Sequence, residues 1–552
     1  MFTDKRSNVR YTKTKKNSIL IYDVFAVLTD STASARRNST SGRRSEQRPR
    51  PILAVLALLL VACWPLTVGA ELVMPAIFSD NMVIQRDMPT PVWGTALPGA
   101  KVSIRLLTED GRRLQMVQTP VGADGKWLVR LAPVKSGPAY RLEVEVREKP
   151  GDGNIQRRVI GNVQAGEVWL CAGQSNMQMS LSGVVNKTAE LAAANYPLIR
   201  QFTAERVFAA RPAADVKGVW RLTTPQIMSM NDEIVGSGVA YLFGRELHRR
   251  LGVPVGLINV SWNGSRIEPW TTLAGFEMVP KLRDLAAQLR QQILDQAAAQ
   301  WGASMALYNG MVHPLVPYAV RGAIWYQGES NCQTSDGMLY YEKMKALVGG
   351  WRKAWSEEDF PFFYVQLTPF TYKASNGATY KLITPESLPE IWEAQTAALS
   401  IPNTGMAVTT DIVKDLGNIH PPDKQTIARR LGQLAMAKVY GQKSIVYSGP
   451  IYKSMDIEGN AIRIRFDYVA GGLRSRDGKP LNWFSIAGAD KRFVEAETKI
   501  DRDTVIVSST KASKPVAVRF GWNEIAQPNL MNAEGLPATP FRTDGPQSKI
   551  TR

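Results

Sequence analysis

The sequence has few of the residues that bind metals or form disulfides, with three histidines and three cysteines among 552 residues. Cys63 lies in an N-terminal apolar segment, so only Cys171 and Cys332 remain for the rest of the chain. Two cysteines do not make a disulfide framework, and we expect both to be buried free thiols, with a single bridge between them as the alternative. Without a CxxC pair or a histidine-rich cluster, the sequence predicts no structural zinc site.

A long basic run is also absent beyond the N-terminus, although the net charge is +18. Residues 1–50 hold 12 Lys/Arg and 4 Asp/Glu, a net of +8, and residues 51–70 hold no charge. Residues 71–552 therefore carry 55 minus 45, or +10, in a dispersed pattern. They contain no nucleic-acid motif, so we predict that nucleic acid is not a partner.

The N-terminal apolar segment is Pro51–Ala70. Its densest part, Ile52–Ala62, is too short to span a bilayer and is typical of a signal-peptide core. Cleavage after Ala70 would release a soluble chain into the periplasm or the extracellular space. Leu60–Cys63 also resembles a bacterial lipobox, which would make Cys63 a lipid anchor. We therefore expect export, with membrane attachment only through Cys63 or an uncleaved leader.

The rest of the chain predicts three regions after the leader of residues 1–70. Residues 71–162 read as a β-sandwich, because segments such as Ala139–Arg147 alternate apolar and charged side chains. Residues 163–440 alternate apolar strands with amphipathic helices. Strand patterns return over residues 441–552, which predict a C-terminal β-rich domain.

The central region predicts a mostly parallel sheet covered by helices on both faces. A helix is expected over Leu282–Ala298, where leucines and an isoleucine recur at helical spacing. Five apolar runs are the predicted strands: Val168–Leu170, Val255–Val260, Ala323–Tyr326, Phe362–Val365 and Met406–Thr409.

Polar clusters follow several of these strands, where open α/β sheets bind their ligands. Ser175 follows the first strand, but Met177 stands where the G-x-S-x-G elbow has its second glycine, which disfavours an α/β-hydrolase. His420 is the best candidate base, because it lies between a predicted strand and a helix capped by Asp423. His248 lies in a basic helix end and His313 in a turn without a nearby acid.

In order, the blocks Gly173–Asn176, Asn263–Ser265, Gly328–Asn331 and Ile419–Pro421 resemble those of the SGNH hydrolases. More narrowly, the chain resembles the sialate O-acetylesterase family over about Leu72–Tyr440. The resemblance implies an SGNH-hydrolase-like three-layer α/β domain flanked by β-rich domains. It also implies a serine esterase that removes acetyl groups from carbohydrate, through an acyl-enzyme and without a cofactor or metal.

Carried over residue by residue, the resemblance makes Ser175 the nucleophile and His420 the base. The backbone N–H groups of Ser175 and Gly264 and the side-chain amide of Asn331 would form the oxyanion hole. The acidic member departs from the pattern, because Asn418 stands where many relatives have Asp. We expect Asp415 in that role. Asp411, Asn418 and a Ser–His dyad oriented by a backbone carbonyl remain as alternatives.

Other residues in these blocks are candidates for contact with the substrate: Gln174, Trp325, Gln327 and Glu329. Of these, we interpret Glu329 mainly as an organiser of its loop, because it lacks the second carboxylate that a glycosidase needs. Trp325, with Trp262 and Trp270, would form either a sugar-stacking wall or part of the core. A lipase or thioesterase and an inactive carbohydrate-binding relative are the alternative functions. The acetylated sugar and the oligomeric state stay open.

Overall fold

The computed structural model describes residues 71–147, 155–230, 236–376 and 378–545. The predicted leader of residues 1–70, including Cys63, lies outside the described residues. Within the four described ranges, no helix combines the length and the apolar character needed to cross a membrane.

Twenty-three strands are described, and they fall into three groups along the chain. The N-terminal strands are β1 Val83–Gln85, β2 Thr90–Thr95, β3 Lys101–Thr108, β4 Arg113–Pro120, β5 Lys126–Leu131 and β6 Tyr140–Arg147. The central strands are β7 Ile155–Gly173, β8 Tyr196–Thr203, β9 Trp220–Thr223, β10 Val255–Ser261, β11 Gly322–Tyr326, β12 Phe362–Val365 and β13 Thr404–Ala407. The C-terminal strands are β14 Ile451–Glu458, β15 Ala461–Asp467, β16 Leu473–Ser475, β17 Phe484–Ala487, β18 Val494–Glu495, β19 Glu497–Asp501, β20 Thr504–Ser508, β21 Ala517–Phe520, β22 Leu530–Asn532 and β23 Phe541–Arg542.

The helices of the described ranges all lie in the central part of the chain. The α-helices are α1 Ser175–Gln178, α2 Lys187–Ala192, α3 Pro225–Met228, α4 Gly238–Leu251, α5 Leu273–Met278, α6 Arg283–Leu294, α7 Glu329–Gln333, α8 Leu339–Trp355, α9 Tyr372–Asn376, α10 Ser387–Ala397 and α11 Lys424–Lys438. Shorter turns are the 3-10 helices Leu181–Gly183, Glu268–Trp270, Pro280–Leu282, His313–Leu315 and Ala398–Ser400, and the π-helix Tyr308–Val312.

The central sheet has the strand order β13-β12-β11-β7-β10-β8-β9. All neighbours in it are parallel except the edge pair of β8 and β9. The long strand β7 continues through the predicted domain boundary at residues 162/163. Its first half pairs antiparallel with β6 of the N-terminal sheet, and its second half is the middle of the parallel sheet.

Helices cover both faces of the central sheet. Two consecutive residues of β12, Phe362 and Phe363, face helices on opposite sides of it. Phe362 packs against Trp351 of α8, with ring centroids 5.8 Å apart. Its neighbour Phe363 points to the opposite face and stacks on Trp169, which in turn meets Phe243 of α4. Because successive side chains of a strand face opposite sides, this places α8 and α4 on different layers. The predicted three-layer α/β class is confirmed, with β-rich sheets added at the C-terminus.

The five predicted strands of the central region are all present, and the predicted helix is observed as α6 over Arg283–Leu294. Sequence reasoning missed β8 and β9. In β8 a charged residue, Arg200, interrupts the apolar pattern by which a buried strand is predicted. Arg200 is buried nonetheless, and its guanidinium donates to the carbonyls of Asn81 and Asn162. The antiparallel C-terminal strands enclose a separate apolar core that includes Phe484, Phe520 and Phe541.

A buried carboxylate joins the N-terminal strands to the central sheet. Glu167 of β7 is fully buried, and its oxygens lie 2.6 Å from Arg86 Nε and 2.9 Å from Arg321 Nε. Tyr440, at the end of the central region, also donates to it at 3.0 Å. Burial raises the pKa of Glu167, but the Arg321 and Arg86 guanidinium groups outweigh that effect and lower the pKa overall. The carboxylate therefore ties three distant segments together as a charged group.

We predict that Glu167→Gln lowers the free energy of unfolding by about 3–5 kcal/mol, because it leaves two guanidinium groups without their buried counter-charge. Chemical denaturation followed by tryptophan fluorescence measures the change. The matched control is Glu205→Gln, since Glu205 pairs with Lys217 at 3.9 Å on the exposed surface and should change stability by less than about 1 kcal/mol. Equal, small effects of the two variants would contradict a structural role for Glu167.

Candidate active site

The carboxyl ends of three neighbouring strands meet at one point of the central sheet. Gly173, the last residue of β7, pairs with Ser261 at the end of β10 and with Tyr326 at the end of β11. The turns that follow these strands therefore converge on one edge. They carry the predicted residues Ser175, Gly264 and Asn331.

Gly173 allows this convergence because it has no side chain. Its φ is +145°, and a Cβ atom there would lie 2.1 Å from the carbonyl oxygen of Tyr326. The next residue, Gln174, donates its backbone N–H to that same carbonyl at 3.0 Å. The chain then turns sharply, so that Ser175 opens the short helix α1 at the strand end.

Ser175 and His420 lie within hydrogen-bonding distance, although 245 positions separate them in the chain. The Ser175 Oγ is 2.8 Å from the His420 Nε2, and both residues are half-buried. His420 lies in the loop between β13 and α11, and Asp423 caps α11 by accepting from the Thr426 N–H at 3.0 Å. The pKa of His420 lies below its ordinary value, mainly because the ring is partly buried and also because the positive charge of Lys424 disfavours the imidazolium.

The structure corrects the expectation for Asp415. This residue is exposed, and its carboxylate accepts from the backbone N–H of Gly417 at 2.8 Å, so it closes its own turn instead of contacting His420. Asp411 forms a two-pronged ion pair with Arg430. Asn418 accepts from the backbone N–H of His420 at 2.9 Å. Among the described residues, none of these side chains is hydrogen-bonded to the imidazole of His420.

Asn331 also departs from its expected role as an oxyanion donor. It is fully buried, and its Nδ2 donates to Glu268 at 3.1 Å and to Asp336 at 2.7 Å. Its Oδ1 accepts from the backbone of Ile267 and from Gln327. Both amide hydrogens are therefore already used, and the side chain links neighbouring loops below the site.

The backbone donors predicted for the oxyanion hole are available by contrast. Ser175 is the first residue of α1, where an N–H group has no partner within its own helix. Gly264 is exposed and left-handed, with a φ of +67°, and its turn is tied to α1 because Asn263 donates its N–H to Gln178 at 2.8 Å. In the described part of the chain, neither the Ser175 N–H nor the Gly264 N–H donates to a backbone carbonyl.

The four candidate substrate contacts all lie inside the protein. Trp325 is buried between Trp270 and Trp351, so it belongs to the core. The side-chain amides of Gln174 and Gln327 are buried against each other, 3.1 Å apart. Their burial, like that of Glu329, indicates that they organise the strand-end turns, the role expected for Glu329, and contact with substrate stays a prediction.

A buried polar network that sequence reasoning missed lies behind Ser175. Asn176 donates to a carboxylate oxygen of Glu329 and, at 3.1 Å, to the carbonyl of Ile419, and it accepts from the Lys424 ammonium. The Lys424 Nζ also lies 4.9 Å from the ring centre of Tyr326. Burial lowers the pKa of Lys424 to about 7 and raises that of Glu329.

The position of Lys424 was detectable in the sequence. It shares one helical stripe of α11 with Ile427, Ala428 and Leu431, at spacings of three, four and seven residues. A lysine on a buried stripe needs a polar partner, which makes it a candidate for a functional site.

Cys171 and Cys332 are both free and buried, which confirms the prediction of unpaired thiols. In the parts of the chain that the structure describes, no group of three or more His, Cys, Asp or Glu side chains is arranged to hold a metal ion.

Comparisons with known proteins find similarity over the central region and beyond it. A family profile described as "Carbohydrate esterase, sialic acid-specific acetylesterase" matches residues 165–440, half of the chain. Rat sialate O-acetylesterase is 29% identical over 544 residues, which covers 89% of this chain and 98% of that protein. The human sialate O-acetylesterase is 29% identical over 518 residues, covering 88% of this chain and 95% of that protein.

A solved structure resembles the whole described fold. The carbohydrate acetylesterase from Xanthomonas citri is 34% identical, with a TM-score of 0.73. The alignment covers 86% of this chain and 99% of the Xanthomonas chain. The similarity therefore extends beyond the central domain to the flanking β-rich regions.

We predict that Lys424→Met raises the pKa of His420, because the ammonium charge that disfavours the imidazolium is removed. NMR titration of selectively labelled histidines measures the pKa, and His420→Gln identifies its signal. The internal control is His313, whose pKa is lowered by burial alone and should not change. An unchanged pKa of His420 would show that Lys424 does not influence the imidazole.

Proposed function

The chain belongs to the sialic acid-specific acetylesterase family of carbohydrate esterases, and from that premise we propose that it hydrolyses O-acetyl esters of carbohydrate with Ser175 as nucleophile and His420 as base. The observation that carries the proposal is the 2.8 Å contact between the Ser175 Oγ and the His420 Nε2. A nucleophile and a base within hydrogen-bonding reach are the signature of covalent ester hydrolysis.

In the first half-reaction, the Ser175 Oγ attacks the acetyl carbonyl carbon and its proton passes to the His420 Nε2. The lowered pKa of His420 supports this step, because it keeps the imidazole neutral and able to accept a proton near pH 7. The carbon–oxygen bond to the sugar then breaks. The proton on Nε2 moves to the departing sugar oxygen, which leaves as a free hydroxyl group.

In the second half-reaction, water attacks the acetyl-Ser175 ester while His420 accepts the proton from the water. The bond between the acetyl carbon and the Ser175 Oγ breaks, and the proton on Nε2 returns to that Oγ. The acetic acid that forms gives its own proton to water and leaves as acetate. In both halves the carbonyl oxygen becomes an oxyanion, and the N–H groups of Ser175 and Gly264 are its proposed donors. Losing one such donor costs on the order of 3 kcal/mol of transition-state stabilisation.

We further propose a Ser–His dyad, in which the backbone of the His420 loop sets the orientation of the ring. Two hydrogen bonds support this: Asn418 accepts from the His420 N–H, and Asn176 donates to the carbonyl of Ile419. These two bonds hold the C=O and the N–H of the peptide group between Ile419 and His420. Asp411 is half-buried and ion-paired with the buried Arg430, so it is not available to the ring as a free carboxylate.

We predict that Ser175→Ala and His420→Gln each reduce the hydrolysis of an acetylated sugar by about a thousandfold or more, because each removes a group that makes or breaks bonds. Acetate release measures the rate. Ser375→Ala, which removes the hydroxyl of an exposed serine on α9, is the matched control and should keep full activity. More than a tenth of the wild-type rate in Ser175→Ala would remove this serine from the mechanism.

We predict that Asp415→Ala lowers kcat by less than about tenfold, or 1.4 kcal/mol, because its carboxylate serves a surface turn. Asn418→Ala should lower kcat more than Asn418→Asp, because Asp retains an oxygen that accepts from the His420 N–H. Steady-state kinetics of the three variants on one soluble acetyl ester give the comparison. A thousandfold loss in Asp415→Ala would mean that this carboxylate supports His420, and it would overturn the dyad.

A further inference from the structure

Three aromatic side chains from separate segments gather beside the Gly264 turn. We call them the aromatic rim: Phe208, Trp262 and Trp301. Phe208 and Trp262 have ring centroids 6.2 Å apart. The Trp301 indole lies over Gly264, since a Cβ atom built there would be 3.7 Å from its Cη2. Phe208 is 38% exposed and Trp301 is 50% exposed, so two rings of the rim face solvent.

The rim adjoins the proposed catalytic pair through the backbone. Trp262 donates its N–H to the carbonyl of Gly173 at 3.0 Å, two residues before Ser175. It also immediately precedes the Asn263–Gly264 turn, which contributes a proposed oxyanion donor. A ligand that contacts the rim therefore lies next to the point where the acetyl group would react.

The segments that carry the rim are held in place. Asn309, a buried residue of the π-helix, donates its side-chain amide to the carbonyls of Ala209 and Ala210, just after Phe208. The backbone of Val207 is so close to Gly310 that a Cβ atom there would lie 2.3 Å from its carbonyl. On the Trp301 side, Met305 donates its N–H to the carbonyl of Glu268 at 3.0 Å. Such anchoring is typical of a surface prepared for a ligand.

A polar cleft of about 440 Å³ lies along the ends of β8 and β10, and one of its lining residues, Gln178, accepts from the Asn263 N–H beside the rim. Its lining combines hydroxyl and amide side chains, among them Gln178, Asn259 and Ser261, with charged ones: Glu205, Arg206, Lys217 and Arg221. Ser261 directly precedes Trp262, so the cleft and the rim meet at the same strand end. Sugar rings combine one apolar face with hydroxyl groups at the edge. An exposed aromatic surface beside hydrogen-bonding groups matches that chemistry better than it matches a purely apolar acyl chain.

We propose that the aromatic rim of Phe208, Trp262 and Trp301 is the sugar-binding subsite, where the ring of an acetylated pyranoside stacks while its acetyl group reaches Ser175. This inference rests on the proposed esterase function and adds the residues that select a sugar ester over a simple ester. Trp262 is half-buried and supports Phe208, so Phe208 and Trp301 are the specificity-determining residues. They bind substrate without taking part in bond making.

The test compares two acetyl esters, a mono-O-acetylated methyl pyranoside and ethyl acetate, in Trp301→Ala and Phe208→Ala. We expect KM for the pyranoside to rise about tenfold with kcat nearly unchanged, as for a contact made equally in ground and transition states. The kcat/KM for ethyl acetate should stay within about twofold of wild type, because this ester has no ring to stack. Trp301→Phe and Phe208→Tyr, which keep an aromatic face, should restore most of the pyranoside KM.

Trp483→Ala is the control, since Trp483 is a similarly exposed tryptophan in the C-terminal region. It should leave both substrates unaffected. Equal losses on both esters in the rim variants would mean that the rim supports the catalytic turn, and they would overturn the subsite. An unchanged pyranoside KM with altered sedimentation would assign the rim to contacts between two copies of the chain instead. A wild-type protein inactive on both esters would refute the proposed function itself.

Discussion

The Asn176 side chain is the contact on which the geometry of the whole site depends. It is fully buried, and it connects the turn of Ser175 to Glu329, to Lys424 and to the carbonyl of Ile419. These partners lie at the first residue of α7, in the loop between β13 and α11, and at the first residue of α11. The contact between Ser175 and His420 joins segments that are far apart in the chain, so something rigid must hold them at a fixed separation. A buried amide whose donor and acceptor atoms are all bonded meets that need, because loosening it would leave polar groups unpaired in the core.

The same network acts on the pKa of His420 in the direction opposite to that of an acidic third residue. A carboxylate beside a histidine would raise the pKa of the ring and stabilise the imidazolium that forms during the reaction. Here burial and the Lys424 charge act in the opposite direction and keep the ring neutral. The neutral imidazole, the form that accepts a proton from Ser175, is therefore favoured before the reaction. The transient imidazolium is stabilised instead by the negative charge of the oxyanion that forms beside it. The Glu329 carboxyl group, whose pKa burial raises, partly balances Lys424 on the far side of Asn176.

Much of the fold was predictable from the sequence, because apolar runs and helical stripes mark buried strands and helices directly. The positions of Ser175, Gly264 and His420 followed from the turns after those strands. The direction in which a side chain points was harder to predict from the sequence. Trp325 and Asn331 lie in the expected blocks, yet one packs in the core and the other is bonded to two carboxylates. Period-two patterns do not distinguish the face toward a helix from the face toward a site. The rim residues Phe208 and Trp301 come from irregular segments, where no periodic pattern exists to find them.

The most direct test of the central claim is to trap the acyl-enzyme and locate it. Wild-type protein is mixed rapidly with an acetylated sugar, quenched in acid within one turnover, and digested for peptide mapping by mass spectrometry. The account predicts a transient acetyl group on the Ser175 hydroxyl, which forms before free acetate accumulates and is absent when His420 is replaced by Gln. An acetyl group on any other side chain, or acetate released at full rate without a trapped intermediate on Ser175, would contradict it.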